Sequence, residues 1–131
     1  MSRTIVVTPH AVAGLARRKY RGPELEAFEE ADWNLDKLKR MVGALEADRL
    51  LQIYDALDAE IREIVRCGIA SGKVLDRRPK GFVLYGRRNS MSIGQRFVHC
   101  GNDPDVGFII KRHTEGEDVV VTTLHRVGVN R

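Results

Sequence analysis

Four histidines, His10, His99, His113 and His125, stand among 22 lysines and arginines. That inventory suits phosphodiester chemistry on RNA. An RNA strand is cut without metal when its own 2′-hydroxyl attacks the adjacent phosphate. A base takes the 2′ proton, an acid protonates the departing 5′ oxygen, and cations stabilise the charged transition state. Imidazole titrates near neutrality and serves either proton task, and guanidinium forks onto phosphate oxygens. His10 and Arg17 are seven residues apart, nearly two helical turns, so a helix carries both on one face. His10 would also occupy the first turn, where free N–H groups attract phosphate. The plainer reading makes it a surface histidine in a capping turn.

Other candidates lie towards the end of the chain. Strict alternation in the terminal strand puts Val119, Val121, Thr123, His125 and Val127 on one face and Val120, Thr122, Leu124 and Arg126 on the other. His125 and Arg126 then share a cleft only where the strand bends. Arg87, Arg88 and Arg96 cluster around a turn and the strand after it, as candidate phosphate contacts. The row Arg17, Arg18, Lys19 and Arg21 is a candidate nucleic-acid-binding stretch. Phosphate-loop, dinucleotide, zinc-protease and nucleophile-elbow signatures are missing from the sequence. His99 and Cys100 are adjacent, point to opposite faces of a strand and make a poor metal pair. No metal and no cofactor is expected.

The elements that must position these residues are legible in outline. Ile5, Val6 and Val7 form a short strand. Thr8 is placed to cap a helix with Pro9 at its first position, running through His10 to Lys19 until Arg21-Gly22-Pro23 breaks it. A second helical piece covers about 23–31. Asn34 caps a third, and Leu50, Tyr54, Leu57, Ile61, Ile64 and Val65 give a long amphipathic stripe. Gly43 is the expected break and Gly68 the expected C-cap. From residue 73 the period changes, and 82–85, 96–99, 106–110 and 119–124 read as strands separated by turns at 87–92, 101–105 and 114–118. The fold class is therefore α+β: N-terminal helices on a C-terminal, four- to five-stranded, mainly antiparallel sheet in one domain, 1–131.

Charge divides the chain. Residues 1–22 carry a net +5, 23–65 a net −7 and 66–131 a net +6. The matching structural segments are a basic strand–helix (1–22), an acidic helical stretch (23–72) and a basic antiparallel sheet (73–131). If the ends meet, they present a basic surface suited to polyanions; alternatively, basic and acidic segments pair within the molecule. Two cysteines outside any CxxC pair suggest a reducing, cytoplasmic setting, and the apolar run at the start is too short for a signal peptide. No stretch approaches the roughly 18 apolar residues of a membrane span.

The opening Ile5-Val6-Val7-Thr8-Pro9-His10-Ala11 and the closing pair Val106-Gly107-Phe108-Ile109-Ile110 and Val119-Val120-Val121-Thr122-Thr123-Leu124 resemble the RelE-like, or barnase–EndoU–RelE-type, small ribonuclease toxin domains. The resemblance covers about half the chain. It implies a metal-independent toxin-type endoribonuclease whose cleft over the sheet uses His10, Arg18, Thr122 or Thr123, His125 and Arg126. Arg17 is added by helical geometry. RNA would be the substrate and a cognate inhibitor protein a partner. Two departures are plain: Gly14 stands four residues after His10, where the family usually has a basic residue, and the helical stretch 23–72 is longer than usual. The competing reading is a non-enzymatic binding or inhibitory module. It would act through helix 45–67 on a protein partner or a second copy, or through its basic face on nucleic acid.

Overall fold

Thr8 joins the first two elements and shows why they form. β1 (Thr4–Val7) ends at Thr8, whose Oγ1 accepts a hydrogen bond from the Ala11 N–H at 3.2 Å and donates to the Val120 carbonyl at 2.9 Å. One hydroxyl thus caps α1 (Pro9–Tyr20) and ties its start to the last strand. The computed structural model describes residues 4–20, 25–79, 81–82, 94–101, 103–112 and 116–126. Three further helices follow: α2 (Glu26–Glu30), α3 (Leu35–Val42) and α4 (Ala44–Ala70). Asn34 caps α3 by accepting from the Lys37 N–H at 2.9 Å, and Gly43, at φ +90°, separates α3 from α4. Both features are local and were readable from the chain.

Gly68 is different. It lies buried inside α4 rather than after it, and a Cβ there would meet Val98 Cγ1 at 2.6 Å. The helix ends at Ser71, whose hydroxyl donates back to the Cys67 carbonyl, and Gly72 takes the positive φ of +70°. The expected C-cap glycine is instead a close-approach point between α4 and the sheet.

The sheet has five strands in the order β1-β5-β4-β3-β2, with β2 Val74–Leu75, β3 Gln95–Cys100, β4 Asp103–Arg112 and β5 Glu117–His125. β1 pairs parallel with β5 and the other pairs are antiparallel. The chain is α+β, with N-terminal helices on a mainly antiparallel sheet. Of the anticipated strand 82–85, Phe82 bridges Arg126 and residues 83–85 lie outside the described residues.

The helices cover one face. Leu50, Leu57, Ile61 and Val65 of α4, with Val12, Leu15 and Ala16 of α1, pack against Val98, Cys100, Val106, Phe108, Ile110 and Val120. The apolar stripe of α4 is turned into this core, so the surface behind the expected self-association of helix 45–67 is not a free one. Leu45, 89% exposed, is the prominent exception. The second face carries a smaller cluster, Phe82, Phe97, Ile109 and Leu124 with Val121.

A bulge decides which residues of β5 face which way. Ile109 pairs with Thr122 but Ile110 with Val120, so Val121 is skipped. Val120 packs under the helices, Val121 and Leu124 sit on the opposite face, and Thr123 donates its hydroxyl to the Ala11 carbonyl of α1 at 2.7 Å. The strict alternation that grouped Val121 with Thr123 is corrected accordingly. No helix among the described residues is long and apolar enough to cross a membrane.

On the second face, the Phe97 ring lies directly over Gly107; a Cβ at that glycine would sit 2.0 Å from Phe97 Cζ. Gly107→Ala should therefore destabilise the fold by about 1–3 kcal/mol through overpacking. Gly101→Ala, where a Cβ meets nothing within 4 Å among the described residues, should stay within about 0.5 kcal/mol of the parent. Urea unfolding of the three proteins checks both.

Candidate active site

α1 lies unusually close to β5 because Gly14 has no side chain: a Cβ there would stand 2.9 Å from Thr123 Cβ. That approach brings the last turn of α1 to the start of β4. Arg18 donates from Nε to Asp103 Oδ2 at 3.0 Å and from Nη2 to Asp103 Oδ1 at 3.4 Å, a two-pronged pair. The Asp105 N–H donates to Asp103 Oδ1 at 3.0 Å, and the Asp105 carboxylate stands 3.9 Å from Arg18 and 3.7 Å from Arg126. Arg18, Asp103, Asp105 and Arg126 thus form one chain of charges around the first residues of β4. Burial alone would raise the Asp103 carboxyl. The Arg18 and Asp105 hydrogen bonds outweigh it and hold the group below the usual range.

His125 stands beside this chain of charges. Burial pushes its imidazole below the ordinary value; the Gly14 carbonyl opposes that, Arg18 adds to it, and Asp103 opposes it again. Its Nδ1 is shut off from solvent and has no hydrogen-bond partner among the described residues. Burial thus favours the neutral imidazole, which keeps an unengaged ring nitrogen inside the fold.

A cleft of about 560 Å³ opens next to the Arg18–Asp103 pair, lined by Leu15, Arg17, Arg18, Lys19, Glu60, Cys100, Asp103 and Val106. Three consecutive basic residues at the end of α1 form one wall. Arg17 donates to Glu29 of α2 at 2.7 Å and Lys19 to Glu60 of α4 at 2.7 Å. The basic opening segment and the acidic helices therefore pair within the molecule.

The other sequence candidates are distributed as follows. His10 is exposed in the first turn of α1, two turns from Arg18, and does not line the cleft. Thr123 is buried and its hydroxyl is engaged by Ala11, while Thr122 is buried with its hydroxyl directed at the Thr123 carbonyl, 3.5 Å away. Arg126 lies on the opposite side of β5 from His125, with its guanidinium 5.4 Å from the Phe82 ring centre. Arg96 pairs with Asp76 at 3.0 Å, away from the cleft. Arg21, Arg87, Arg88 and His113 lie outside the described residues. Asp103, Glu60 and Cys100 were not anticipated. Asp103 is 85 residues from Arg18 in sequence, and only the pairing of α1 with the sheet brings them together.

His99, one of the four histidines and a poor metal partner for Cys100, lies away from the cleft. It packs edge-on against Phe97 and Phe82 at centroid distances of 4.9 and 5.5 Å, and burial, then Arg126, lowers its pKa. Cys100 points the other way, into the helix-covered core, as alternation requires.

No protein-family model matches the chain, and neither a curated protein nor a solved structure matches it.

His99 and His125 both stay neutral in the folded protein at pH values where the unfolded chain already binds a proton. Unfolding in that window takes up protons, so stability is complete above the unfolded value of about 6.5 and falls as pH drops from there towards the depressed folded values. The urea midpoint should be lower at pH 5.5 than at pH 7.5, and His125→Gln should reduce the difference. A wild-type midpoint that holds or rises at pH 5.5 would show that neither histidine is linked to folding in this way.

Proposed function

We propose that the protein is a metal-independent endoribonuclease whose chemistry is centred on Arg18, Asp103 and His125. The observation that carries this reading is the Arg18–Asp103 pair, from α1 and β4, in a cleft also lined by Arg17 and Lys19, with His125 of β5 behind it and electrostatically coupled to both. Neutral His125 would take the 2′-hydroxyl proton as that oxygen attacks the neighbouring phosphate, once RNA binding opens its Nδ1, which is closed to solvent in the free protein. Arg18 spends Nε and Nη2 on Asp103, which fixes its plane and leaves Nη1 for a phosphate oxygen as charge develops. Arg17 and Lys19 would hold flanking phosphates. The 5′ oxygen would leave with a proton from the Lys19 ammonium or from water, giving a 2′,3′-cyclic phosphate and a free 5′-hydroxyl.

The segments that carry the resemblance to the small ribonuclease toxins adjoin one another. The two halves, 5–11 and 106–124, form one unit: β1 lies beside β5, and α1 packs on β5 through Gly14 and Thr123. The departure at Gly14 has a physical reason, since no side chain fits between α1 and Thr123. Within this reading His10 is a surface residue, and the catalytic histidine is His125.

A second reading, binding of polyanions without cleavage, is favoured by the three clustered cations and by the lack of a histidine among the described residues lining the cleft. Binding alone weakens steeply with salt and leaves RNA intact.

Total RNA and transfer RNA incubated with the protein in EDTA should yield discrete products ending in cyclic phosphate. His125→Ala and Arg18→Ala should each slow cleavage by about 100-fold or more, with circular dichroism confirming the fold. His10→Ala should change the rate by less than about tenfold, the lower limit of a proton-transfer role being larger. Intact RNA under all conditions would leave the binding reading in place.

A further inference from the structure

Three consecutive helical residues point about 100° apart, yet each of Arg17, Arg18 and Lys19 meets a carboxylate, and each carboxylate comes from a different element. The three pairs are not alike. Asp103 grips Arg18 with two hydrogen bonds and is itself held by the Asp105 N–H. Glu29 meets Arg17 at 2.7 Å and Glu60 meets Lys19 at 2.7 Å, and these pairs are more open to solvent. Side-chain exposure is 54% and 45% for Arg17 and Glu29, against 34% and 32% for Arg18 and Asp103. Exposed single pairs are weak and screened by salt; a two-pronged, braced pair keeps its geometry.

We propose that Glu29 and Glu60 are internal competitors for the phosphates of a polyanion: two ionic latches that occupy Arg17 and Lys19 until a nucleic-acid backbone displaces them. The inference rests on the reading of the cleft as a polyanion site, whether or not cleavage follows. The latches come from α2 and α4, the acidic stretch, and so they account for a basic segment and an acidic segment being folded against each other at the cleft. Arg18 remains fixed while its neighbours exchange a carboxylate for a phosphate, so the inner site is formed before the ligand arrives and the rim adapts to it. The charge on a bound backbone that can compete is higher than that of two glutamates, and its phosphates are linked, so the exchange favours chains over single phosphates.

The test uses a fluorescent 12-nucleotide 2′-O-methyl oligoribonucleotide, which lacks the attacking hydroxyl and cannot be cut. Binding is measured by anisotropy at about 50 mM and 500 mM salt. Glu29→Gln/Glu60→Gln should bind about threefold to tenfold more tightly than the parent at low salt, the sum of two exposed pairs removed, and the gain should shrink at high salt. Asp36→Asn/Asp48→Asn removes the same formal charge from exposed residues that do not line the cleft, and it should gain less. Equal gains in the two double variants would reduce the effect to net charge and overturn the latch. So would absence of binding by every protein at low salt. Tighter binding in a protein that leaves ordinary RNA intact would support the latch and remove only the nuclease reading.

Discussion

Everything at the cleft depends on how closely α1 lies on β5. Gly14 admits Thr123, and the Thr123 hydroxyl donates to the Ala11 carbonyl at 2.7 Å while Thr8 holds the first turn of α1 to Val120 and Val121. These contacts fix the helix at two points along its length. A side chain at position 14 would force it outward, and the displacement at its far end would separate Arg18 from Asp103 and from His125. The positions that look least chemical, a glycine and a buried threonine, therefore set the geometry of the charged ones. Thr123 thus bears on the cleft by holding the helix.

The parts of the fold that were legible in the sequence are those decided by neighbours in the chain. Thr8 and Asn34 cap because their side chains reach N–H groups three residues on, and Gly43 breaks a helix because it takes φ +90°. The same locality explains why helices followed by strands were enough to give the α+β class. The bulge opposite Val121 was not legible, since it is a property of the β4–β5 pair and leaves no mark in the residues of either strand. The role of Gly68 was misread for a related reason: a glycine near a helix end signals a cap, but here Val98, 30 residues away, requires it. Of the residues around the cleft, Arg17 was singled out by helical spacing, Arg18 by the family resemblance and His125 by residue type, whereas the carboxylate partners of the two arginines are set by contacts across 12 to 85 residues.

Charge is arranged by the same long-range packing. The sequence allowed either a bare basic surface or pairing between basic and acidic segments. At α1 the second holds: Arg17 meets α2 and Lys19 meets α4. A further cation, Arg62 of α4, is held by Asp58 and donates to the Ile5 carbonyl of β1, so the acidic helix carries its own basic contact to the first strand. That contact engages a carbonyl of the sheet's outermost strand, a position otherwise open to pairing with another chain.

Asp103 and Asp105 give the cleft its connection to the rest of the sheet. They are two residues apart on β4, and Asp105 reaches towards both Arg18 and Arg126, which lie on opposite sides of β5. The Arg126 N–H donates to the Asp105 carbonyl at 2.8 Å, so backbone pairing holds the second arginine where the carboxylate can meet it. Arg126 in turn stands over Phe82, and after burial it is the second cause that lowers the pKa of His99. The short acidic start of β4 thus meets one arginine on the helix-covered side and another on the opposite side, and it does so with two carboxylates only two residues apart.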